Sequence, residues 1–266
     1  MPKFQGPEGH MWYVDDGGGN PALVLLHAFP LCGAMWETQI GVLAPRRRVI
    51  APDLRGFGRS EVPSDRSAYS VERWADDVGA LVDSLDLGRV VLVGLSMGGY
   101  VALAFARLHP ERLDALVLAD TRANSDSAEV RGRREQQQEQ LSAVSDPTAL
   151  ADQLLGPLVG ATSTGRTQTL AAAEKLLAAN RPQGVIGALE ALKSRPDATG
   201  DLSAIAVPTL VIVGEQDQLS PPSVAEEMAG AIRGARVVVI PDAGHLSNME
   251  NPAAFNRAMV DFLDQL

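Results

Sequence analysis

Cysteine occurs once in the 266 residues, at position 32, so no disulfide framework can form within the chain. No metal-ligand motif accompanies Cys32, which is read as a packing residue; no metal and no cofactor is expected. Apolar runs are short, none approaching the roughly 20 residues that span a bilayer, and residues 1–6 lack the apolar core of an export signal. A cytoplasmic protein without membrane contact is the expectation. Basic clusters are missing as well, and the formal charge of −10 argues against nucleic acid and anionic lipid surfaces as partners. Arg131, Arg133 and Arg134 are offset by Glu129, Glu135 and Glu139 and read as a solvated helix face. Internal repeats are absent, and Gln136-Gln137-Gln138 is too short to count as low complexity.

What the chain does have is a rhythm of apolar runs. Strand-like segments stand at 11–14, 23–26, 49–50, 90–93, 116–119, 209–213 and 237–240, with helix-like sequence between the later ones. Continuous apolar runs, where alternation would mark a half-exposed strand, imply burial on both faces, as in a parallel sheet covered by helices. The fold class is therefore α/β, a mostly parallel central sheet flanked by helices. Residues 122–200 break the rhythm with helix-rich sequence and are expected to form a helical cap inserted after the sixth strand, leaving 1–121 and 201–266 as the core.

Gly94-Leu95-Ser96-Met97-Gly98 follows the strand-like run 90–93 and leads into the helix-like run 100–108. That is the context of a nucleophile elbow, in which a sharp strand-to-helix turn holds a serine hydroxyl above the sheet. Glycines two residues either side let neighbouring chain pass without a Cβ clash. The helix N-terminus supplies free N–H groups, of which that of Met97 faces the position of a substrate oxyanion.

A serine nucleophile needs a base. Of the four histidines, His10 lies in a polar N-terminal segment, His109 closes the elbow helix, and His27 ends the strand at 23–26. His245 follows the run 237–240 in a loop at the carboxyl end of a strand, where open α/β sheets place their chemistry, and is the expected base. Two carboxylates compete to orient it, Asp217 after 209–213 and Asp120 after 116–119. Chain order Ser, acid, His fits both. Asp217 is preferred because its strand immediately precedes the one carrying His245, and Asp120 remains the alternative.

With these pieces in place the chain resembles the α/β-hydrolase-fold serine hydrolases over nearly its full length. The resemblance rests on His27-Ala28-Phe29-Pro30, on residues 53–60 (Asp-Leu-Arg-Gly-Phe-Gly-Arg-Ser), on the Ser96 elbow, on Gly214-Glu215-Gln216-Asp217 and on Gly244-His245. It implies that Phe29 contributes the second oxyanion-hole N–H beside Met97, although Ala28 stands where glycine is usual, and that residues 53–60 are scaffold. Residues 245–252 resemble the C-terminal segment of 3-oxoadipate enol-lactonases and related small esterases. The stretch between Asp120 and Leu202 departs from that group in containing no tryptophan.

The activity this implies is hydrolysis of a small carboxylic ester or lactone through Ser96, His245 and Asp217. Alternatives on the same triad are C–C bond hydrolysis, perhydrolysis or cofactor-free haloperoxidase activity; a non-catalytic ligand-binding receptor is the more distant one. Candidate pocket residues are Leu155, Leu158, Val159, Ile186 and Leu219, and their apolar character suits a small substrate that is uncharged or singly charged. Arg122 and Arg195 are the cap cations able to meet a carboxylate, and both read first as surface or ion-pair residues.

Overall fold

The computed structural model describes residues 2–6 and 9–266. Among these residues eight strands form one sheet: β1 (Lys3–Gly6), β2 (Gly9–Asp16), β3 (Ala22–Leu26), β4 (Val49–Pro52), β5 (Val90–Leu95), β6 (Leu113–Ala119), β7 (Thr209–Gly214) and β8 (Arg236–Ile240), in the order β1-β2-β4-β3-β5-β6-β7-β8. β1 with β2 and β2 with β4 are antiparallel, and every other pairing is parallel. Every residue of β3, β5 and β7 is buried, as continuous Val/Leu/Ile runs in a sheet covered on both faces require.

Two strands depart from the sequence reading. β1 has no apolar signal, because it pairs only with β2 and alternates exposed with half-buried residues. β8 carries the apolar run 237–240 but lies at the other edge of the sheet, so Val237 and Val238 are only half-buried and Val239 is 43% exposed. An apolar run marks a strand without telling whether a second neighbour will cover it.

Local signals set the helix ends. Ser70 and Ser127 accept the N–H three residues ahead, from Arg73 and Val130, at the starts of helices Val71–Ser84 and Ala128–Ser142. Pro182, Pro222 and Pro252 open their helices at the position where a missing N–H costs nothing. Between β6 and β7 the chain forms helices Ala128–Ser142, Ala151–Leu155, Arg166–Leu177 and Pro182–Ser194, joined by 3-10 turns. The first packs against the last. Ala128–Ser142 buries only Gln138 and Leu141. No helix among the described residues is long and apolar enough to cross a membrane.

Because the connections return each parallel strand in the same direction, the carboxyl ends of β3, β5, β6 and β7 lie side by side. Leu26 pairs with Gly94, Leu95 with Ala119, and Ala119 with Ile212. The residues following those ends are therefore neighbours in space although far apart in sequence.

Candidate active site

Ser96 sits between β5 and helix Met97–Leu108 with φ 54 and ψ −111, in the left-handed half of backbone space that side chains with a Cβ avoid. The strain is held by its surroundings. The Ser96 N–H donates to Ala119 O (2.9 Å) and Thr121 Oγ1 donates to Ser96 O (2.8 Å). A Cβ on Gly94 would collide with the Gly98 carbonyl, and one on Gly98 with the Leu26 carbonyl, so the helix approaches β5 and β3 only because both positions are glycine.

His245 Nε2 lies 2.7 Å from Ser96 Oγ, and its Nδ1 lies 2.7 Å from Asp217 Oδ2. The other carboxylate oxygen of Asp217 accepts the N–H groups of Leu219 (2.8 Å) and Ser220 (3.0 Å). All three side chains are buried. With Nδ1–H donated to the carboxylate, Nε2 is the acceptor for the serine proton, the tautomer that a base for Ser96 must have. Burial alone would lower the His245 pKa, but the Asp217 carboxylate beside it, with Asp120 and Tyr100 further off, outweighs burial and holds it at about 9.

Asp120, the competing acid, does not touch His245. It is fully buried with φ 46; its Oδ1 accepts the Gly214 N–H (2.8 Å) and its Oδ2 meets the Ser247 hydroxyl. Burial and the nearby Asp217 charge push its pKa well above the ordinary carboxylate range. It ties the end of β6 to the end of β7 and to the turn after His245.

The remaining histidines are occupied elsewhere. His27 Nε2 accepts the Leu54 N–H and its Nδ1 donates to Ala28 O, each at 3.0 Å, and burial holds its pKa below the ordinary value. It is a neutral strut under the loop that carries Phe29. His10 faces Glu61 and His109 faces Asp76. Residues 53–60 also behave as scaffold: Asp53 accepts the N–H groups of Gly33 and Arg59, and Arg55 is buried in a bidentate pair with Asp77. Cys32 is buried, its thiol pushed up to about 12 mainly by burial. No group of His, Cys, Asp or Glu among the described residues could hold a metal.

Ser96 and His245 open into a cavity of about 390 Å³. Leu158 and Leu219, two of the candidate pocket residues, line it together with Phe29 and Met97. As the first residue of its helix, Met97 has an N–H that the helix ladder leaves unused. Leu155, Val159 and Ile186 do not line the cavity; they are 2%, 4% and 8% exposed within the core, with Leu154 and Pro157 facing it instead. Leu154 and Leu155 are consecutive in one helix and so point about 100° apart. Of the polar part of the wall, sequence reasoning named only Arg122. Arg133 and Arg134, read as a solvated face, border the cavity together with Arg122, Tyr100 and Gln137. Arg133 does form the expected pair with Glu129 four residues back, but Arg134 turns to the buried Asp126 (2.5 Å). Arg195 also pairs with Asp126 (3.1 Å) and stacks on the Tyr100 ring, 4.1 Å from its centroid.

The chain is similar along its length to known proteins. A thermophilic esterase from Thermogutta terrifontis, solved with malate bound, is 39% identical with TM-score 0.91, over 97% of this chain and 94% of its own. The enol-lactonase from Burkholderia xenovorans LB400 is 33% identical with TM-score 0.89, over 99% of this chain and 100% of its own. 2-Hydroxymuconate semialdehyde hydrolase from Pseudomonas sp. strain CF600 is 31% identical over 94% of this chain and 88% of its own length. The family model for the alpha/beta hydrolase fold matches residues 21–252, from the start of β3 to the helix after His245. Sheet order, elbow context and these likenesses agree, and the chain belongs to the alpha/beta hydrolase fold family.

Proposed function

We propose that this protein is a serine hydrolase that cleaves small carboxylic esters or lactones through an acyl-enzyme formed on Ser96. The observation that carries this reading is the chain of hydrogen bonds from Ser96 Oγ through His245 to Asp217, 2.7 Å at each step, at the wall of a partly apolar cavity. In the first half-reaction His245 Nε2 takes the Ser96 proton as Oγ attacks the carbonyl carbon. The N–H groups of Phe29 and Met97 receive the oxyanion, and the imidazolium returns its proton to the leaving alkoxide. In the second half, water delivers its proton to the same nitrogen and attacks the acyl carbon, releasing the acid and free Ser96. Asp217 fixes the tautomer and stabilises the imidazolium in both halves.

The test is hydrolysis of p-nitrophenyl acetate and butyrate by the wild type and by Ser96→Ala. The variant should keep its fold and lose on the order of three or more decades in kcat. Retention of more than a few per cent of activity would place the nucleophile elsewhere. Similarity to 2-hydroxymuconate semialdehyde hydrolase favours C–C bond hydrolysis as the second reading. A ring-cleavage product turned over faster than either ester would select it.

A further inference from the structure

The chain as a whole carries a formal charge of −10, yet the charged residues lining the cavity beside Ser96 are Arg122, Arg133 and Arg134, with no Asp or Glu among them. Their partners differ. Arg133 meets Glu129 at the surface, and Arg134 shares the buried Asp126 with Arg195. One carboxylate thus answers two guanidinium groups. Arg122 forms no ion pair among the described residues, and its Nε is buried without a hydrogen-bond partner. It follows Thr121, whose hydroxyl holds the Ser96 carbonyl, so it stands at the strand end next to the elbow. A half-buried guanidinium with an orphan N–H is costly to keep unless something supplies the missing acceptor.

We infer that the cavity takes an ester or lactone whose acyl part ends in a carboxylate, and that Arg122 receives that carboxylate. The assignment rests on reading Ser96 as the nucleophile. Arg122 hydrogen-bonds the Tyr100 hydroxyl but has no carboxylate partner among the described residues, so one guanidinium matches one negative charge, and the planar fork of arginine matches the two oxygens of a carboxylate. The rest of the wall, Phe29, Leu154, Leu158 and Leu219, suits the methylenes between the two ends. The positive field of this corner is visible at Tyr100. Burial would raise its pKa, but Arg195, Arg122 and Arg134 outweigh burial and hold the hydroxyl below its ordinary value.

The experiment compares monoethyl glutarate with ethyl 5-methylhexanoate, which replaces the carboxylate by an isopropyl group of like shape, in the wild type, Arg122→Gln and Arg122→Lys. It also measures binding of glutarate to Ser96→Ala by calorimetry, with and without Arg122→Gln. The wild type should favour the half-ester by about tenfold or more in kcat/KM, in line with a charge-assisted pair. Arg122→Gln should erase that preference and Arg122→Lys should keep part of it. Glutarate should bind Ser96→Ala saturably and lose about tenfold or more in affinity when Arg122 is also changed. An unchanged preference in Arg122→Gln, or glutarate binding indifferent to Arg122, overturns the assignment. Should Arg122→Gln fail to fold, the lysine variant decides on the same ratio. If no ester is turned over faster than by Ser96→Ala while glutarate still binds through Arg122, the hydrolase reading fails and the anion site stands.

Discussion

Glu250 holds His245 from both sides: its Oε1 accepts the N–H of Gly244 (2.9 Å) and of Leu246 (3.3 Å), and its Oε2 accepts the N–H of Gly160 (2.9 Å). The loop bearing the proposed base is thereby tied to the segment that presents Leu158 to the cavity. Leu246 N also donates to Leu158 O, and a Cβ on Gly244 would collide with Gly160, so the two loops lie in backbone contact.

Glu250→Gln keeps the shape but replaces one acceptor oxygen with an NH₂ that opposes a backbone N–H. The loss of a charge-assisted hydrogen bond is worth about 1.5–3 kcal/mol. If that loss falls on the geometry of His245, kcat should drop by about tenfold or more with a smaller change in KM, measured on p-nitrophenyl butyrate. Hydrogen exchange at residues 244–246 should speed up in parallel. A variant with wild-type kcat would show that the loop is held by its packing alone.

The two buried acids should separate in the same assay. Asp217→Asn leaves His245 without the carboxylate at Nδ1 and should cost on the order of 10³ or more in kcat. Asp120→Asn should cost far less, because Asp120 touches Gly214 and Ser247 and not the imidazole. Its pKa is raised in the fold, so the fold favours the neutral carboxyl. The resulting penalty grows as pH rises above its ordinary 3.8. Asp120→Asn should therefore gain stability relative to the wild type as pH increases, read from denaturant midpoints. The reverse ranking in kcat would move the acid to β6.

The Asp217 carboxylate favours the protonated form of the His245 imidazole. The His245 pKa of about 9 in the fold lies above the ordinary 6.5, so the protonated imidazole stabilises the fold fully below about 6.5, and that contribution fades as pH rises through about 9. The proposed mechanism needs the neutral form. The acid limb of kcat/KM should therefore have an apparent pKa above 6.5, and Asp217→Asn should move it down. A limb at or below 6.5 in the wild type would mean that the Asp217 charge does not govern the base.

Much of this site is legible in the sequence because its signals are local. Gly94, Ser96 and Gly98 declare a crowded strand-to-helix turn, and Asp217 and His245 each follow a short β-branched apolar run that reads as a strand. What the sequence conceals depends on distant partners. Arg134 sits among glutamates in sequence but turns to Asp126, and Glu250 finds its acceptor role only once the chain folds back on Gly160. Apolar spacing in residues 151–159 shows that the segment is buried without showing what lies opposite. Leu154 meets a cavity and Leu155 meets core from adjacent positions.

That distinction between wall and core can be tested with Leu158 and Ile186, both apolar, both buried and both candidates from the sequence. Leu158 lines the cavity, whereas Ile186 packs in the core of helix Pro182–Ser194, its carbonyl accepting from Gln138. Leu158→Ala enlarges the cavity beside Ser96. One methylene in an apolar pocket is worth about 1–3 kcal/mol, so the preference between acetate and longer esters should shift by roughly tenfold or more in relative kcat/KM. Ile186→Ala opens a hole that no substrate fills and costs about 2–5 kcal/mol of stability, which for a chain of this size lowers Tm by roughly 5 °C or more. Its chain-length profile should stay that of the wild type. If Leu158→Ala instead scaled all esters down equally and lowered Tm, while Ile186→Ala reshaped the profile, the substrate would lie deeper among these helices than the cavity beside Ser96 suggests.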